Sequence, residues 1–372
     1  MATATASMEF FHTHISPRAA ELAGQVLRSG WINEGPMVRR FEEALGVELG
    51  IQHPVAVNSC TAALHLALVL AGVGPGDEVI LPAQTFVATG LVVLHQRATP
   101  VFADIDPRTG NLSVESIREH LTGRTRAILA VHWGGYPCDL GPINQLASER
   151  GLAVVEDAAH ALGGTYQGRP LGAISRFTAF SFQAIKHLTT GDGGALGCRE
   201  EADYRAAARR RWFGIDRQLA QPSPLGERIY DVEEVGYKYH MNDLAAAVGL
   251  GNLERFPERL ARRRAIGERY RRELAGVAGL ELLEARPDRA HAYWLFTILV
   301  ERRLDFIRLL AEKGIPASVV HLRIDKYGVF GGPRPDLAGQ ADFDQRQVAI
   351  PLHEALSDEE IGEVIRTIRS GW

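Results

Sequence analysis

The sequence predicts an α/β protein with two parts: a large domain on a mainly parallel sheet, then a smaller C-terminal α/β domain. Three observations lead there. Between about residues 52 and 200, short β-branched and apolar runs alternate with helical stretches, the pattern of βαβ units. Those runs are almost continuously apolar, as strands covered on both faces are. After residue 275 a new strand and helix pattern begins. The expected division is residues 1–250 and 251–372, in line with ordinary domain sizes.

In order along the chain, HPVAV reads as the first strand and TAALHLALVLAG as the apolar helical segment after it. EVILPAQTF, TPVFADID, RAILAVHW, GLAVVEDAA, FTAFSF and GGALGC supply further strands, with LSVESIREHL and LGPINQLASER as helices between them. A long helical region covers 241–275. Pro257 interrupts or opens a helix there, because proline lacks the N–H a helix interior needs. HAYWLFTILVE then predicts a strand, DFIRLLAEKGI a helix, ASVVHL a strand and DEEIGEVIRTIR the last helix. Ser357 and Glu360 match a capping box at its start. RIDKYGVFGGPRPDLAGQ, rich in Gly and Pro, predicts loop. The chain shows no internal repeat.

Composition narrows the function classes. Apolar residues make up 46% and charged residues 23%, the balance of a soluble globular protein large enough to build a core without staples. A formal net charge of -4 provides no basic field for nucleic acid or an anionic membrane. The run Arg209, Arg210, Arg211 is expected on an exposed helix face. Cys60, Cys138 and Cys198 stand far apart, so neither a disulfide framework nor a metal site is expected. MATATASMEFF lacks the regions of a signal peptide, LHLALVLAG is too short to span a bilayer, and the cytoplasm is the expected compartment.

Three stretches carry chemistry. In NSCTAALHLAL, Ser59, Cys60 and Thr61 follow a strand and open a helix. They suit either a plain N-cap or a phosphate held by the free N–H groups of a helix start. In VVEDAAHALGG, Glu156 and Asp157 end a buried strand, where α/β sheets place ligands, and His160 lies three residues on. Asp157 suits a helix cap, a metal ligand, a group that orients a base, or a partner for a protonated ring nitrogen. In FSFQAIKHLTTGDGGALGC, Lys186 sits between two buried strands, an expensive place for a lysine unless it is paired or reactive. The chain has only Lys186, Lys238, Lys313 and Lys326 to choose from. Ser181 ends the strand before Lys186, and Gly191, Gly193 and Gly194 read as room for the backbone to approach a cofactor or to take positive φ. No GxxxxGK[ST] phosphate loop is present. A phosphate cradle, a strand-end acid and a semi-buried lysine together are what pyridoxal phosphate requires.

These stretches also carry a resemblance. PAQTFVATG, VVEDAAHALGG, FSFQAIKHLTTGDGGAL and GYKYHMNDLAAAVGL are similar to blocks of the DegT/DnrJ/EryC1/StrS aminotransferases, and the likeness runs from SGWINEGPMVRRFE to IPLHEALSDEEI. Those enzymes have the aspartate-aminotransferase fold (fold type I), use pyridoxal phosphate and mostly aminate nucleotide-linked keto-sugars. The resemblance implies that Lys186 bonds the cofactor and moves the proton. By the same match Asp157 pairs with the pyridine nitrogen and His160 lies near the ring's 3′-oxygen, where other members carry Gln. Phe86 stacks on the ring, and Ser181 with the backbone at Cys60 and Thr61 binds the phosphate. Lys238 reaches that phosphate from a neighbouring subunit, so a homodimer with shared sites is implied. Two departures stand out: Cys60 where Gly is frequent, and Lys238 where Asn is frequent.

The implied reaction moves an amino group from an amino acid, L-glutamate, to a keto-sugar. Trp31 and His321 are candidate substrate contacts. Competing readings are an aminotransferase for an inosose-type ketone, a pyridoxal-phosphate lyase or dehydratase, and a non-catalytic regulator. His187, next to the lysine, has a position but no evident role.

Overall fold

A computed structural model describes residues 8–217 and 219–372. Seven strands form the main sheet in the order Pro54–Val57, Gly194–Cys198, Phe177–Ser181, Ala153–Asp157, Thr125–Val131, Glu78–Pro82, Thr99–Ala103. Every pairing is parallel except the two made by Gly194–Cys198, which is antiparallel to both neighbours. The expected α/β fold with a mainly parallel sheet is what the chain adopts.

The strand sequences explain why both faces are covered. Successive side chains of a strand point to opposite faces. Val55, Val79, Leu81, Ala127 and Leu129 enter one apolar core, while Ala56, Ile80 and Ile128 enter the other. Each core is completed by helices that cross back between the parallel strands. A third core lies under a three-stranded antiparallel sheet of Leu280–Leu282, Phe296–Val300 and Gln347–Ile350. The last helix, Asp358–Arg369, packs into it with Ile361, Ile365 and Ile368, and its Ser357–Glu360 capping box forms.

Pro257 opens the helix Phe256–Leu274, which follows Asp243–Leu253 after a short break. HAYWLFTILVE is a strand only over Phe296–Val300. ASVVHL contributes a single bridge, Ser318 to Ala349, instead of a strand. The partner of Phe296–Val300 is Gln347–Ile350, a four-residue run too short to show a period. The segment expected to be loop forms two short 3₁₀ turns, and Ala338 at its end begins the helix Ala338–Arg346. Of the arginine run, Arg211 is buried rather than exposed, because Glu34 and Glu42 pair with it. Arg209 and Arg210 both pair with Glu234. Among the described residues no helix is long and apolar enough to cross a membrane.

The helix Pro17–Ser29 lies on Asp243–Leu253 at a glycine. A Cβ on Gly251 would meet the backbone of Ala19 at 2.2 Å, and Ser16 Oγ donates to the Gly251 carbonyl at 2.6 Å. Gly251→Ala should therefore lower unfolding free energy by about 1–3 kcal/mol, the usual cost of overpacking. Gly24→Ala, whose Cβ would meet only the flexible tip of Arg28, should leave it level or raise it by up to about 1 kcal/mol. Chemical denaturation of the two variants checks this.

Candidate active site

The carboxyl ends of the parallel strands share one edge, and the segments leaving them converge. Asn58–Thr61 follows Val57, Ala83–Phe86 follows Pro82, Asp157 ends its strand and Ser181 ends the next. They enclose a cavity of about 490 Å³, at the place where α/β sheets hold ligands. Ser59, Cys60, Thr61, Phe86, Asp157, His160, Ser181, Lys186 and His321 all line it.

Lys186 sits in a closed loop. Phe182 N–H donates to Gly193 O and Thr190 N–H to Phe182 O, both at 2.9 Å. Gly191 has φ +85, so it takes the left-handed conformation a side chain resists. The other glycines make room for protein, not for a ligand. A Cβ on Gly194 would lie 2.6 Å from Cys60 N and 2.7 Å from Phe180 O. Burial pushes the Lys186 ammonium down from 10.5 to about 7, against the upward pull of Asp157 and Cys60. No neighbouring cation contributes to that lowering; desolvation alone does it.

Asp157 and Glu156 point to opposite faces of the sheet, as adjacent strand residues must. Glu156 turns away to His132 Nε2 at 2.9 Å and Ser175 N at 3.1 Å. Asp157 faces the cavity. Its carboxylate accepts from Thr89 Oγ1 at 2.8 Å and from Ala159 N at 3.1 Å. Burial pushes the Asp157 carboxyl up, and these two bonds with Lys186 pull it back. No helix follows Asp157, so it caps none, yet His160 still reaches the same cavity. Its ring stacks on Trp294 at 3.8 Å, and its buried Nδ1 has no hydrogen-bond partner among the described residues. Burial, then Lys186, holds His160 neutral.

Opposite Lys186, Ser59 is the N-cap of the helix Cys60–Leu70, accepting from Ala62 N at 3.1 Å. The N–H groups of a helix's first turn have no intrahelical partner, and here Cys60 and Thr61 carry them at the cavity wall. Burial pushes the Cys60 thiol well up, so it adds no negative charge beside an anion. Phe86 precedes the helix Val87–His95 and faces His321 at 5.3 Å.

Two predicted residues lie outside the cavity of their own chain. Trp31 is exposed, with Nε1 donating to Glu34 O at 3.3 Å. Lys238 has an exposed side chain, and its carbonyl accepts from Asn58 Nδ2 beside the cradle. Among the cavity residues without a sequence signal for the site are Thr89, Phe11 and Trp294. Thr89 lies in the first turn of the helix Val87–His95, and its hydroxyl is bonded to that of Thr85, just before the helix, at 2.7 Å. Phe11 and Trp294 come from distant segments with no local signal. His187 acts as a strut. Buried and held neutral by burial, it bonds Ala292 O through Nε2 at 2.9 Å, tying the lysine loop to the C-terminal segment.

The DegT/DnrJ/EryC1/StrS aminotransferase family model matches residues 14–369. The chain belongs to this family. It is 38% identical over 357 residues to the spore coat polysaccharide biosynthesis protein SpsC of Bacillus subtilis, covering 93% of this chain and 92% of that one. The sugar aminotransferase CalS13 of Micromonospora echinospora superposes with a TM-score of 0.93 at 37% identity, covering 98% of this chain and 100% of that one. The PLP-form of Spr1654 from Streptococcus pneumoniae gives 0.90 at 31% identity, covering 98% of both chains. The protein is thus an aminotransferase of the type I fold with pyridoxal phosphate as cofactor. The residues fit that group: an amine, a buried carboxylate, a helix start free of negative charge and the unpartnered His160 Nδ1 all meet one cavity.

Only a neutral amine can bond the cofactor's aldehyde. With Lys186 at about 7, the rate at which cofactor-free protein captures pyridoxal phosphate should rise with pH through 7 and level off above, read by absorbance. The same group sets a sign for stability. Between pH 7 and its ordinary 10.5, the unfolded chain binds a proton that the folded chain does not, so this lysine makes stability rise with pH across that window.

Proposed function

We propose that this aminotransferase moves an amino group from L-glutamate to a keto-sugar carried on a nucleotide, as a cytoplasmic homodimer. The observation that carries the reaction is the Lys186–Asp157 pair, which lines one cavity, each within reach of the other's charge, with the amine brought down to about 7. The cavity wall supports a sugar: Phe11, Phe86 and His321 line it with aromatic rings, on which the C–H face of a sugar packs. His321, at about 4 because of burial, stays neutral. SpsC, a relative, is named for polysaccharide biosynthesis, and CalS13 for a sugar aminotransferase.

Bound pyridoxal phosphate supplies an electron sink for a carbanion at the donor's Cα. The chain supplies the rest. Lys186 Nζ, neutral, takes the Cα proton of the donor and later delivers one to the acceptor carbon. Asp157 keeps a proton on the ring nitrogen through its buried carboxylate. Thr89 and Ala159 N–H fix that carboxylate in place. The aromatic walls exclude water from the amine.

Among the described residues, Lys186 is the cavity's only Lys or Arg. The phosphate of the cofactor and any phosphate on the sugar therefore need a cation from elsewhere, which supports a site completed by the exposed Lys238 of a second copy. Mass in solution should be that of a dimer. Fully active monomer would overturn the shared site.

Lys186→Ala should retain the fold and lose turnover by more than about a thousandfold. The acceptor is tested by loading the enzyme with amine from glutamate, then adding keto-sugar nucleotides, free keto-sugars or scyllo-inosose one at a time. Return of the aldehyde absorbance with a keto-sugar nucleotide alone supports the proposal. Return with scyllo-inosose alone would sink it.

A further inference from the structure

Trp294 is the side chain that binds the predicted site together. It is 1% exposed. Its Nε1–H donates to the carbonyl of Ile185, the residue before the lysine, at 3.0 Å. Lys186 Nζ lies 3.4 Å from the centroid of its ring. His160 stacks on it at 3.8 Å and 19°, Phe11 at 5.2 Å and 20°. Its backbone N–H donates to Gly134 O at 2.9 Å, so the indole is held from several sides. Among the described residues Lys186 makes no ion pair.

We propose that Trp294 is a positioning residue for Lys186, holding the free amine on its π face and the preceding carbonyl on its N–H. The lysine, when not bonded to the cofactor, then stays parked beside Asp157 and His160 instead of swinging toward solvent. A lysine stem has four rotatable carbons, and an amine that must deliver a proton to one atom gains rate from being held there. The ring quadrupole attracts the ammonium form, by more where water is excluded. The groups facing the amine are Asp157, Cys60, His160, His187 and His321. The three histidines are held neutral near pH 7 and the thiol is protonated, so Asp157 and the indole face are what bear on the charge of the amine. The inference rests on the reading of Lys186 as the reactive lysine.

The test uses cofactor-free, full-length protein. Acetylation of Lys186 by acetic anhydride is followed against pH, with the lysine-bearing peptide quantified by mass spectrometry. Tryptophan is replaced biosynthetically by mono- and difluorinated tryptophan, which weakens the quadrupole while nearly keeping the shape. Trp294→Phe and Trp294→Leu are measured alongside. The expected result is a midpoint that falls stepwise with fluorination, and by up to about one pH unit in Trp294→Leu, because losing the contact destabilises the ammonium. In the Trp294→Phe background, fluorination of the remaining tryptophans should add no further step. A midpoint that stays fixed across the fluorinated series overturns the proposal even if Trp294→Leu does not fold. If Lys186 acetylates no faster than exposed Lys313 at pH 8, the reading of Lys186 falls first and the inference with it.

Discussion

The site depends on one close approach. Gly194 begins the strand that runs antiparallel between two parallel neighbours, opposite Val57 on one side and Ser181 on the other. Its missing side chain lets the turn at Ser59 and Cys60 lie on the sheet, since a Cβ there would strike backbone on both sides. That contact sets the helix start with its free N–H groups across from the lysine loop. Just beyond the strand pair the loop is closed, where Phe182 N–H donates to Gly193 O. The turn at Ser59 and Cys60 and the loop that carries Lys186 thus meet at one residue without a side chain.

Electrostatics then divides the labour. Burial acts on both ionisable partners in opposite directions, lowering Lys186 and raising Asp157. Each is brought toward neutrality by the loss of water, and each is pulled back by the other's charge. Neither shift requires a cation beside the lysine, which the presence of several histidines in the sequence would suggest. Those histidines serve as neutral rings: His160 and His321 as stacked walls, His187 as a strut.

Behind the lysine loop, the C-terminal part of the chain supplies the support. Arg259 donates to His187 O at 2.9 Å and to Asn252 O at 2.6 Å, while Asn252 Nδ2 holds Thr189 O. Glu354 pairs with both Arg259 and Arg263. Buried charges of this kind are costly singly and hold only as a satisfied set. The arginine-rich helix Phe256–Leu274 therefore does more than present a solvated face: it anchors the segment on which the amine moves.

The sheet and most of the site around it can be read directly from the amino-acid order. Strand runs such as VVED and FTAFS announce themselves because a strand buried on both faces must be continuously apolar, and the polar residue that ends such a run marks a ligand edge. Lys186, Asp157 and the Ser59–Thr61 turn were legible for that reason: each lies beside its own strand. Which distant residues close the cavity is a matter of folding in three dimensions. Trp294 reaches Lys186, and Phe11 reaches Trp294, from segments more than a hundred residues away, and Gln347–Ile350 replaces ASVVHL as the strand beside Phe296–Val300. Such choices depend on packing between parts of the chain that share no local period, so no stretch of sequence records them.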